Sequence, residues 1–120
     1  MNYTTEGVGS PRVAELLDSE VELFTPSSVI AELSEVMLRH KIAPKRHSEV
    51  LTYVKSRTET VAINADLAEK AGSINYEHKR IIPGWGMLDS FVWASAVELQ
   101  AYVLTGDPHF RSLFGVEMLR

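Results

Sequence analysis

The chain contains no cysteine, which excludes disulfides and thiolate-held zinc or iron centres. No apolar run approaches the roughly 18 residues of a membrane span, and the opening segment MNYTTEGVGS lacks the apolar core of a signal peptide. The histidines His40, His47, His78 and His109 form no close pair of the i, i+4 kind, so zinc is not expected. Positive charge is in short supply: 12 Lys and Arg face 16 Asp and Glu, for a net charge of -4. That balance argues against a general polyanion binder, although local basic patches can override it. Internal repeats, low-complexity tracts and linkers are missing as well. What remains is 120 residues, 45% hydrophobic and 23% charged. This is the composition of one ordinary globular domain over residues 1–120, expected in the cytoplasm and off the membrane.

Periodicity orders the chain. Ser10-Pro11 opens a short helix with Val13, Ala14, Leu16 and Leu17 on its apolar face. A strand is expected at Val21 to Phe24, then a helix capped by Ser27 or Ser28 and running to about His40. Pro44 opens a third helix reaching about Lys55. A strand at Thr60 to Ile63 leads to a helix capped by Asn64 that carries Leu67, Ala68, Ala71 and Ile74. Tyr76 to Gly86 reads as a basic, then Pro/Gly-rich loop, and Val116 to Leu119 as a terminal edge strand. Alternation of this kind predicts an α/β fold with a central parallel sheet flanked by helices on both faces.

The segment Met87–Phe110, MLDSFVWASAVELQAYVLTGDPHF, organises the rest. Its helix, from about Leu88 to Leu99, is apolar on most sides, as expected for burial against a sheet. Ala101 to Leu104 is a buried strand, stopped by Gly106-Asp107-Pro108. From Asp89 the helix descends roughly 15 Å, and the strand climbs back roughly 18–20 Å to Asp107. The two aspartates therefore return to one level, the carboxyl edge of the sheet, where ligands of open α/β folds bind. Glu32 follows the strand at 21–24 closely and reaches the same edge.

Taken singly, each acid has a plain structural explanation. Asp89 caps the helix that follows it, Asp107 caps a turn beginning at Pro108, and Glu32 is a solvated helix residue beside Glu35. Taken together, three carboxylates at one edge repel one another unless a cation neutralises them. Oxygen donors suit a hard ion, Mg²⁺ or Mn²⁺.

The stretches TPSSVIAELSEV, MLDSFVWASA and YVLTGDPHF, in this order and spacing, resemble a PIN domain, in particular the small ribonucleases of the VapC toxin type. The resemblance runs from about Ser10 to the end. It implies a three-layer PIN-like fold and an acidic metal site including Glu32, Asp89 and Asp107, with Thr105 as the hydroxyl residue that orients a water or a carboxylate. It further implies Mg²⁺- or Mn²⁺-dependent hydrolysis of RNA phosphodiesters, a homodimer and a partner antitoxin. The rival reading is a non-catalytic interaction module whose metal site is incomplete.

One departure favours the rival. The family begins with a buried central strand ending in an aspartate, whereas here the only acid before the first helix is Glu6. The expectation is a fold lacking its usual first strand, in a chain truncated relative to the family and starting at an internal methionine. Positive charge for RNA is available from Arg39, His40, Lys41, Lys45, Arg46 and His47 around one helix junction and from Lys79-Arg80, although a solvated surface turn explains them equally well. Trp85 either stacks a base, packs on a partner or anchors its loop, and Trp93 belongs to the core or to a dimer contact.

Overall fold

The computed structural model describes the backbone of residues 2–5 and residues 11–119. The order is β1 (Asn2–Thr5), α1 (Pro11–Leu17), β2 (Glu22–Pro26), α2 (Ser27–Arg39), α3 (Pro44–Arg57), β3 (Glu59–Val61), α4 (Ala65–His78), α5 (Met87–Leu99), β4 (Tyr102–Thr105), a 3-10 turn (Pro108–Phe110) and β5 (Val116–Met118). The five strands form one sheet in the order β3-β2-β1-β4-β5. Every pairing is parallel.

Side-chain alternation along the strands divides the core between the two faces. Leu23 and Leu104 face α1, where they meet Val13, Leu16 and Leu17. Val103 points the other way, into a cluster with Val29 of α2, Val92 and Ala96 of α5, and Ile82, Trp85 and Phe110. The outer helix α4 packs Leu67 and Ala71 on Ala94 of α5. Buried on the sheet side and covered by α4 outside, α5 has little need of polar residues, which explains its nearly all-round apolar sequence. The three-layer α/β expectation is met. Among the described residues no helix is long and apolar enough to cross a membrane.

The centre of the sheet departs from expectation. Rather than lacking its first strand, the fold seats the short β1 between β2 and β4, with Tyr3 opposite both Leu23 and Tyr102. The segment is too polar to show as a buried strand by hydropathy. Pairing on both sides satisfies its backbone regardless, and Tyr and Thr suit extended structure. Glu6, the only acid ahead of α1, lies outside the described residues.

Smaller differences have local causes. β2 runs on to Pro26, because proline is tolerated at a strand end. Pro26 then occupies the cap position of α2, without a side-chain cap, and Ser27 Oγ accepts instead from the Ile63 N–H. Asn64 does cap α4, accepting from the Leu67 N–H at 2.9 Å. That helix continues to His78, so Tyr76 to His78 are helical and only the remainder forms a loop.

Candidate metal centre

Between β1 and β4 the sheet changes direction of growth, since β2 and β3 lie to one side and β5 to the other. The carboxyl ends of strands at such a switch point leave a crevice where α/β folds bind ligands. β4 delivers Thr105 and, two residues later, Asp107 to this crevice. α5 runs antiparallel to β4 and brings Asp89 there from its first turn.

Asp89 is the third residue of α5, with Gly86 as the cap, so the expected capping role shifts by one turn. Its Oδ2 accepts from the Gly86 N–H at 3.0 Å, and the glycine has no side chain to return the bond. Asp107 does cap the 3-10 turn as expected, its Oδ1 accepting from the His109 N–H at 2.9 Å. The buried Thr105 hydroxyl accepts from the Asp107 N–H at 3.0 Å. Thr105 thus fixes the backbone that carries the carboxylate.

His109 completes the group, and no motif in the sequence singled it out. Its Nδ1 lies 3.0 Å from Asp89 Oδ2 and 3.3 Å from Asp107 Oδ1. Because a carboxylate only accepts, the contact selects the tautomer with hydrogen on Nδ1. The opposite edge of the ring rests on Gly84, where a Cβ would stand 2.7 Å from Nε2 and where φ is +81°. Only glycine accommodates both the ring and that backbone angle. One ligand atom each from Asp89, Asp107 and His109 lies within 4.8 Å of the others.

Glu32 stands beside this group without joining it. Its carboxyl is held above the ordinary range by burial and, secondarily, by the charges of Asp89, Asp107 and Glu35. Its Oε1 is buried and makes no hydrogen bond. The folded chain therefore binds this proton more tightly than the unfolded one. Ionised Glu32 costs stability as pH rises through its raised pKa, and the cost vanishes in acid. Glu32→Gln is accordingly expected to raise the Tm of the cation-free protein at neutral pH and to leave it nearly unchanged in acid. Thermal denaturation at two pH values tests this, and a lower Tm at neutral pH would contradict it.

The basic residues are divided between two places. Arg39 pairs with Glu35 at 3.1 Å and Arg46 with Glu49 at 3.6 Å, which offsets part of their charge. Lys41 and Lys45 are exposed at the α2–α3 junction. Lys79 follows α4, and the Arg80 guanidinium lies over the Tyr76 ring. Arg111, just beyond the Met87–Phe110 segment, lines a surface groove of about 390 Å³ with Ile81, Ile82, Pro83, Pro108, His109 and Ser112. Trp85 is 2% exposed, which settles its role as a loop anchor. Its Nε1–H donates to Ser90 Oγ at 2.7 Å, and its ring packs on Phe110 and His78. Trp93 packs partly buried against the same cluster.

The fold is shared with solved VapBC and VapC chains. A chain of DNA-bound VapBC from Salmonella typhimurium is 19% identical, with a TM-score of 0.76 over 100% of this chain and 99% of that one. A chain of VapBC2 from Rickettsia felis, bound to a promoter DNA fragment, is 20% identical, with a TM-score of 0.75 over 98% of each chain. VapC20 of Mycobacterium tuberculosis, a toxin that cleaves the sarcin-ricin loop, is 16% identical, with a TM-score of 0.73 over 97% of this chain and 98% of its own. No curated protein matches the sequence. The PIN domain family model matches residues 5–114, and on that match, covering nearly its whole length, the chain belongs to the PIN domain family.

Proposed function

We propose that this protein, read as one PIN-like unit over residues 1–120, is a divalent-cation-dependent endoribonuclease and the toxin of a toxin–antitoxin pair, acting in the cytoplasm as a homodimer. The observation that carries this reading is the convergence of Asp89, Asp107 and His109 at the carboxyl edge of β4. The residues suit a cation: Glu32 Oε1 is a buried oxygen left without a partner beside them, and the donors are mainly hard carboxylate oxygens, appropriate to Mg²⁺ or Mn²⁺. Asp89 and Asp107 would hold the ion, and Glu32 would reach it directly or through water. When bound, such an ion lowers the pKa of a water and offsets charge on a phosphoryl group.

The chain's own part is orientation. Backbone N–H groups of Gly86 and His109 aim the two carboxylates, and Thr105 fixes the turn beneath Asp107. The backbone of RNA would be met by Lys41, Lys45, Lys79, Arg80 and Arg111, with Arg39 and Arg46 contributing less because of their partners. The likeness in fold to VapBC chains supports an antitoxin partner.

The test is cleavage of single-stranded and stem-loop RNA by the purified full chain. Internal cuts that stop on chelation and return with excess Mg²⁺ or Mn²⁺ are expected, together with RNA binding that weakens steeply with salt. Cation binding without cleavage of any RNA would sink the nuclease reading in favour of the non-catalytic module.

A further inference from the structure

We propose that His109 is itself a ligand of the cation held by Asp89 and Asp107, through Nδ1, and that its imidazole shifts the preference of the site from Mg²⁺ toward Mn²⁺ and later first-row ions such as Co²⁺. The inference rests on the cation-dependent reading above and deepens it. Three observations carry it.

Distance comes first. In an octahedral shell with bonds of about 2.1 Å, adjacent donor atoms stand about 3.0 Å apart. Nδ1 lies 3.0 Å from Asp89 Oδ2 and 3.3 Å from Asp107 Oδ1, each within the spacing of neighbouring donors in such a shell. The second observation is the fixed ring. Gly84 presses against the Nε2 edge, and the neighbouring Phe110 is fully buried, so Nδ1 is the nitrogen presented to the carboxylates. The third is the set of backbone N–H bonds that holds both acids in place, the kind of outer support that orients metal ligands.

Ligation through Nδ1 requires the other neutral tautomer. The Nδ1 proton leaves to solvent and one is taken up at Nε2, leaving the imidazole neutral, and the side chain is 32% exposed for this exchange. Exchanging one hard oxygen donor for an imidazole nitrogen favours ions later in the first row, because Mg²⁺ prefers oxygen.

The test uses the full chain, stripped with a chelator and titrated calorimetrically with Mg²⁺, Mn²⁺ and Co²⁺ at one pH and salt. Wild type is compared with His109→Ala and with His109→Asp, which supplies an oxygen donor in place of the imidazole, and circular dichroism checks that each variant folds. The preference for Co²⁺ over Mg²⁺ is expected to fall about tenfold or more in His109→Asp. The electron spin echo of the Mn²⁺ form should show nitrogen modulation in wild type and lose it in both variants. An unchanged preference, or tighter binding of every ion by His109→Ala, would overturn the proposal, since the imidazole would then be only a cover over the acids. A nitrogen signal in a wild type that cuts no RNA upholds the ligand and removes the nuclease. Cleavage without that signal does the reverse, and a wild type that binds no ion removes both.

Discussion

Asp107→Asn is expected to reduce RNA cleavage by roughly 10²- to 10⁴-fold, the several kcal/mol of transition-state stabilisation that a well-held cation supplies. The substitution keeps an oxygen able to accept from the His109 N–H, so the 3-10 turn retains its cap. It removes one of the charges that raise the Glu32 carboxyl, so at neutral pH the cation-free variant should melt no lower than the parent. Asp89→Asn should behave alike, because the amide oxygen can still accept from Gly86. The signature is therefore a split: activity collapses while Tm holds or rises. Full cleavage by both variants would remove these acids from the chemistry. A collapse of Tm would make them structural.

Trp85→Ala should have the largest effect on stability, about 3–5 kcal/mol. That is a large share of the 5–15 kcal/mol by which domains of ordinary size are stable. The indole fills the space between Phe110 and His78 and supplies the N–H that Ser90 Oγ accepts. Truncation leaves a cavity in the principal core cluster. Trp85→Phe keeps most of the ring and loses mainly the hydrogen bond, so chemical denaturation should rank wild type above Phe and Phe well above Ala. Trp85 also lies between Gly84, which backs His109, and Gly86, which orients Asp89. The Ala variant should consequently bind cations more weakly even below its unfolding midpoint. A loss under 1 kcal/mol would mean that the loop is held by something else.

The parts legible from sequence were those governed by local rules. Helix and strand periodicity gave the layers, and the rise per residue of a helix against that of a strand returned Asp89 and Asp107 to one level. The parts missed depend on contacts between distant segments. β1 carries no hydrophobic alternation because two flanking strands define it, although Tyr3, Thr4 and Thr5 offered a β-propensity signal. His109 gives no signal in the sequence because no second histidine stands at ligand spacing from it. Its neighbour Asp89 becomes adjacent only once α5 and β4 are packed side by side. Trp85 carried the right alternatives, and burial decided among them.

The central position of β1 also bears on how the chain matures. β1 pairs with β2 on one side and β4 on the other, and β4 is completed only at Thr105. A nascent chain can form its early helices, but it cannot pair β1 on both sides until β4 has been made. Contacts between segments so far apart in sequence delay folding and leave strand edges open in the meantime. The sheet edge that gathers Asp89, Asp107 and His109 shares that schedule, because Asp107 and His109 emerge after β4. The acidic centre is thus assembled only after β1 and β4 have paired.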